Sequence, residues 1–287
     1  MAENIVVNLP DGKLAVQRSL AEPDSPVLVL LHGWLDNSAS FQTLMPLLAG
    51  RFNLYAPDWP GHGQSFHRAE GHFQTFQDYA DVLHQFVLTL QRPVFLVGHS
   101  LGGMVASCYA GAFPENIAGF IAIEALGPLS EPAEGAATRL RAGLHSRVKY
   151  RNTAKRILRD EQQALKLRRK GSGLTDGQLM PMVTRSLETG VEGLVWRHDS
   201  RLKAVSPYRM DDGQARAFVE AICCPVLAIL GTEGYPQLRG VQGQARHSWF
   251  RDLTLVKVNG GHHCHMDSPD AVATQIIQFV TEIQTRD

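Results

Sequence analysis

Six short apolar runs recur along the chain: PVLVLLHG (26–33), FNLYAPD (52–58), PVFLVGHS (93–100), GFIAIEA (119–125), PVLAILG (225–231) and LTLVKVNG (253–260). They are nearly continuous in apolar residues rather than alternating. A strand with one wet face alternates. A continuous run marks a strand buried on both faces, as in a parallel sheet covered by helices. Helical periodicity fills the gaps. Within 75–91, Phe76, Tyr79, Ala80, Leu83, Val87 and Leu90 recur at steps of three and four. Ser268-Pro269 announces a last helix, with Val272, Ile276, Phe279, Val280 and Ile283 on its apolar face. Ahead of the first run, residues 5–7 and 14–17 flank Asp11-Gly12 and predict a hairpin. The expectation is an α/β fold with a mostly parallel, twisted sheet.

The alternation breaks between about 127 and 212. No convincing strand reads there, and the segment holds 17 of the 28 Lys and Arg against 10 of the 28 Asp and Glu. An inserted helical layer fits this, on a core formed by 1–126 and 213–287. A solvated helical face accounts for most of the excess charge; a basic patch favouring an anionic substrate is the alternative. Over the whole chain the two signs balance, so net charge gives no argument for nucleic acid or a membrane surface. No run approaches the ~18 apolar residues of a membrane span. The N-terminus lacks the basic flank and long apolar core of a signal peptide. The four cysteines, Cys108, Cys223, Cys224 and Cys264, suggest no disulfide framework. Together these predict a cytoplasmic protein without membrane insertion.

Gly98-His99-Ser100-Leu101-Gly102 is a G-x-S-x-G between a strand and the helical stretch MVASCYAGAF. A serine on so sharp a turn has a strained backbone, and Gly98 and Gly102 give it room. Its hydroxyl then stands at a helix N-terminus, where backbone N–H groups favour developing negative charge.

Three further motifs accompany the serine: Leu31-His32-Gly33-Trp34, Asp58-Trp59-Pro60-Gly61-His62-Gly63-Gln64-Ser65 and Gly260-Gly261-His262-His263-Cys264-His265-Met266-Asp267-Ser268-Pro269. With them the chain resembles the α/β-hydrolase superfamily over nearly its whole length. HGWLDNSASF and GHHCHMDSPDAV are similar to the serine hydrolase-like proteins within it. The resemblance implies Ser100 as nucleophile and His262 as general base, with His263 and His265 as rivals. It implies an oxyanion hole from the backbone N–H groups of Trp34 and Leu101. It makes 127–212 a cap over the site, with Leu126, Leu129 and Met182 as candidates for the pocket lining. No cofactor is implied. The spacing of His262, His263, Cys264 and His265 fits no common metal site, and Cys264 is a candidate for modification.

The acid is less direct. In this fold a carboxylate commonly stands three residues after the first glycine of LGTEGYP, where this chain has Gly234. Glu233 is one residue early. The fold's second solution places the acid after the strand that follows the nucleophile helix, which is Glu124, in a setting similar to that of some haloalkane dehalogenases. A carboxylate after GFIAI is costly unless paired, which favours Glu124 and keeps Glu233 as the alternative. Those dehalogenases use an aspartate nucleophile, so Ser100 argues instead for acyl transfer to water from a small-molecule ester or related acyl compound. Two other readings stay open: a ligand-binding or regulatory protein with little turnover, motivated by Gly234, and a non-hydrolytic enzyme on the same scaffold. Substrate identity and oligomeric state are not legible.

Overall fold

The structure, a computed structural model, describes residues 2–285 apart from 152 and 171. Its eleven described strands are β1 (Glu3–Leu9), β2 (Gly12–Ser19), β3 (Val27–Leu31), β4 (Asn53–Pro57), β5 (Val94–His99), β6 (Ile117–Ile123), β7 (Ile157–Leu158), β8 (Leu187–Gly190), β9 (Gly193–Trp196), β10 (Val226–Gly231) and β11 (Leu253–Val258). Eight of them form one sheet in the order β1-β2-β4-β3-β5-β6-β10-β11. The β1–β2 hairpin closes with Leu9 opposite Gly12, and β2 also meets β4 antiparallel; every other pairing in this sheet is parallel.

All six apolar runs are strands of this sheet. β3 shows why its run is continuous. Val27, Val29 and Leu31 pack into the core layer on one face, while Leu28 and Leu30 pack into the layer on the other. Successive side chains point to opposite faces, and both faces are covered. The helix Phe76–Leu90 starts with a capping box between Thr75 and Asp78. It buries Tyr79, Val82, Leu83, Phe86 and Val87, a stripe turned slightly from the expected one. The last helix, Pro269–Gln284, buries Val272, Ile276, Phe279 and Val280.

Segment 127–212 departs from expectation in one respect. Besides helices at Ala136–Arg151, Glu161–Arg169 and Asp176–Arg185, it contains a small antiparallel sheet, β7-β9-β8. β8 and β9 turn through Gly190 and Gly193, which face each other. Their sequences, LETG and GLVW, are short and half-buried, so neither a long apolar run nor clean alternation marks them. The two ends of the segment lie side by side, with Ser130 bridged to Met210. A third apolar cluster joins it to the core, since Leu158, Leu165, Leu179 and Met182 pack with Ala39 and Met266.

Candidate active site

The carboxyl ends of β5, β6 and β10 lie at one edge of the sheet, with the loop after β11 beside them. In an open parallel sheet this edge gathers functional loops. His99 pairs with Ile123 across β5 and β6, so Ser100 and Glu124 are the next residues of two neighbouring strands. The Ser100 N–H donates to Ile123 O at 3.0 Å, and the Glu124 N–H donates to Ile229 O at 2.9 Å. Both residues have φ +50°. A residue with a Cβ rarely adopts this region, and such strain collects at functional sites. At Ser100 it makes the sharp turn into the helix Leu101–Ala112. Gly102 is required there, because a Cβ would come 2.0 Å from Leu31 O. Ser100 is half-buried and Glu124 is fully buried.

The Glu124 carboxylate is held by three donors. The Gly231 N–H donates to Oε1 at 2.8 Å, and the Tyr235 N–H donates to Oε2 at 3.0 Å. His262 Nδ1 lies 3.2 Å from Oε2. A nitrogen facing a carboxylate carries the proton, which leaves Nε2 with its lone pair as the basic position. Gly234 completes this picture. An ideal Cβ there would lie 2.1 Å from Glu124 Oε1 and 2.3 Å from Oε2. The carboxylate therefore occupies the space into which a side chain at 234 would grow. Glu233 is exposed, and its backbone N–H donates to Gly260 O at 2.8 Å.

His262 is positioned from two more directions. The Tyr235 ring lies against it, with centroids 3.9 Å apart and planes at 34°. His99 Nε2 is 2.8 Å from His262 O. Burial, then the neighbouring His265, His263 and His262, hold His99 well below the usual histidine range, so its imidazole is neutral. Facing a carbonyl, Nε2 is its donor. Neither Tyr235 nor this role of His99 was read from the sequence; the adjacency of Tyr235 to Gly234 was the available signal.

His263 turns elsewhere. Its Nε2 is 3.1 Å from Asp36 Oδ2, and Arg168 of the helix Glu161–Arg169 pairs with the other oxygen, Oδ1. Burial pushes the Asp36 carboxyl up, but His263, Arg168 and His99 outweigh it and hold it well below the usual range. The Asp36, His99 and His263 ligand atoms lie within 4.8 Å of one another. The Arg168 guanidinium already on Asp36 disfavours a second cation there. His265 is fully buried against Phe41, and burial pushes it down to about 3. Cys264 is fully buried, and burial raises its thiol to about 12. It is therefore a poor target for modification, contrary to expectation.

The loop after β3 is braced by the D-x-P-G-H-G turn. Asp58 accepts from Ser38 N–H at 2.8 Å and Gln64 N–H at 2.7 Å, and its carboxylate is paired with the buried Arg185 at 2.9 Å. His32 Nε2 accepts from the Trp59 N–H at 2.9 Å, and His62 Nε2 accepts from the Leu35 N–H at 3.1 Å. These bonds fix the chain on both sides of Trp34, whose indole N–H donates to Leu202 O at 3.1 Å. Leu35 has φ +61°. Across the site, the N–H of Leu101 precedes the first bond of its helix, from Met104 N–H to Ser100 O. It thus has no intrahelical acceptor. Two concavities flank the site. A cleft of about 920 Å³ borders His262, Gly234 and Tyr235, and a cavity of about 270 Å³ borders Leu35 and Met182. Ser100 lines neither. Of the other residues expected near a substrate, Leu126 is buried in the core and Leu129 is exposed.

The chain is similar to known proteins over most of its length. It is 29% identical to a serine hydrolase-like protein of Danio rerio over 95% of this chain and 86% of that protein. It is 30% identical to a probable serine hydrolase of Drosophila melanogaster over 98% of this chain and 88% of that one. Among solved structures, a hypothetical protein of Pseudomonas aeruginosa PAO1 superposes with a TM-score of 0.89 at 33% identity, covering 97% of this chain and 99% of that one. No described helix is long and apolar enough to cross a membrane. The profile of the alpha/beta hydrolase family matches residues 28–275, and the chain belongs to that family.

Proposed function

We propose that the protein is a serine hydrolase that cleaves a carboxylic ester, or a related acyl bond, through an acyl-enzyme on Ser100. The observation that carries this reading is the buried Glu124 carboxylate 3.2 Å from His262 Nδ1, at the same sheet edge as the strained Ser100. In this reading His262 Nε2 removes the Ser100 hydroxyl proton as Oγ attacks the acyl carbon. Glu124 keeps the tautomer and stabilises the imidazolium. The Trp34 and Leu101 N–H groups donate to the carbonyl oxygen as it becomes an oxyanion. Collapse expels the alcohol, which takes the proton back from His262. Water then repeats the cycle, with His262 accepting its proton, and releases the acid and free Ser100.

Segment 127–212 serves as the cap. Arg168, Arg185 and Ser186 tie it to Asp36, Asp58 and Asn37 of the core. A cap limits water and shapes the acyl pocket. Gly234 motivated a non-catalytic scaffold; its lack of a side chain has a steric reason in the Glu124 carboxylate. The test is turnover of p-nitrophenyl acyl esters, quenched in acid during the first turnovers and read by intact mass. The expected result is an acyl adduct on wild type that is absent from Ser100→Ala. Turnover that survives Ser100→Ala would defeat the proposal.

A further inference from the structure

The cavity of about 270 Å³ lies between the loop after β3 and the inserted segment. It is smaller than the ~300–1,000 Å³ of drug-sized sites, which suits a compact group. Leu35 and Trp196 supply apolar wall, and Arg156, Arg168, His198 and Lys203 supply polar wall. No acidic residue lines it among those described. The carboxylates nearby are already committed: Asp36 to Arg168 and His263, Asp199 to Arg201, and Glu188 to Lys155 and Arg197. Arg156 and Lys203 have no ion pair among the described residues. Two exposed cations thus share a concave wall without a counter-charge, and burial of part of the Lys203 side chain lowers its pKa, an arrangement that an anion relieves. Burial, with Lys203 and Arg168, holds His198 down to about 4, so at neutral pH it is an uncharged hydrogen-bonding group. Arginine matches the two oxygens of a carboxylate in particular.

The position matters as much as the charge. Leu35 follows Trp34 directly, one Cα step of ~3.8 Å from the proposed oxyanion donor. The cavity therefore adjoins the loop that carries the proposed oxyanion donor, without being lined by Ser100 itself. We infer that this cavity binds a carboxylate carried by the substrate, which makes the preferred substrate an acyl compound with a separate acid group. The inference rests on the serine hydrolase reading.

Two esters of equal length test it: mono-p-nitrophenyl adipate and p-nitrophenyl hexanoate. Wild type should favour the adipate in kcat/KM. The adipate-to-hexanoate ratio should fall about tenfold in Arg156→Ala and in Lys203→Ala, and further in the double variant. Arg216→Ala, an exposed arginine paired with Glu220, should leave the ratio unchanged. Ser100-dependent hydrolysis of hexanoate with a ratio insensitive to both cavity variants overturns the inference and leaves the hydrolase reading intact. Calorimetric binding of free adipate to Ser100→Ala protein tests the cavity without turnover. Binding that weakens with Arg156→Ala and Lys203→Ala supports the inference; no binding, or binding unchanged in both variants, overturns it.

Discussion

Placing a methyl group at position 234 should disable the enzyme from a site that carries no chemistry itself. Gly234 is not needed for its backbone, since its φ is not among the positive ones. The obstacle is contact. A Cβ at 2.1 Å from Glu124 Oε1 is far inside contact distance, and ordinary contact at 3.4 Å requires the carboxylate to retreat by about 1.3 Å. It is held by contacts of 2.8, 3.0 and 3.2 Å to Gly231, Tyr235 and His262, and a shift of that size breaks or weakens all three. Hydrogen bonds to a charged group are worth about 1.5–3 kcal/mol each, and partial recovery elsewhere leaves a stability loss of about 2–4 kcal/mol. Catalysis should suffer more. Neutralising the carboxylate behind the catalytic histidine of a serine protease lowers kcat by about 10⁴, and displacement rather than loss of the charge puts Gly234→Ala at about 10²–10⁴. The assay is kcat on a p-nitrophenyl ester, with denaturation to confirm folding. The compensating swap is sharper. In Glu124→Ala/Gly234→Asp the space is free and a carboxylate returns to the family's commoner position, so activity should exceed that of Glu124→Ala. Wild-type kcat in Gly234→Ala, or a swap no better than Glu124→Ala, would refute the reasoning.

Removing Arg185 should destabilise the fold, because Asp58 would keep a buried charge without its partner. Arg185→Met is expected to cost about 3–5 kcal/mol in denaturant unfolding; a loss below about 1 kcal/mol would contradict this. Acid should lower stability before carboxylates titrate. Unfolded histidines protonate near 6.5, whereas burial holds folded His198 neutral to about 4 and His265 to about 3. The unfolded chain then binds more protons, so stability falls as pH drops from 6.5 to 5, by about 1.4 kcal/mol per unit for each such histidine. A Tm that is flat or rises over that interval would be inconsistent with this. His99→Phe removes the donor to His262 O and should lower kcat about tenfold with little change in KM; a change confined to KM would reject the positioning role.

What the sequence revealed follows burial. Runs such as VLVLL are apolar on both faces, so their strands were legible. Glu124 was singled out through the resemblance, as the fold's second place for an acid, and the cost of a carboxylate closing GFIAI added weight to it; the sequence left Glu233 as the alternative. LETG and GLVW are short and half-buried, and their strands went unread. Pairs formed across long separations left no local trace. Arg185 with Asp58 and Arg168 with Asp36 join residues more than a hundred positions apart. The meaning of Gly234 lay in that same category, because its neighbour Glu124 is brought to it by the β6–β10 pairing.

The central claim is that Ser100 is a nucleophile activated by His262 and Glu124. Labelling the folded protein with a fluorophosphonate, followed by peptide mapping, tests it most directly. The adduct should fall on Ser100, vanish in Ser100→Ala and form far more slowly in His262→Ala and Glu124→Ala. Folded wild-type protein that resists the probe, or carries the adduct on another residue, would contradict the account.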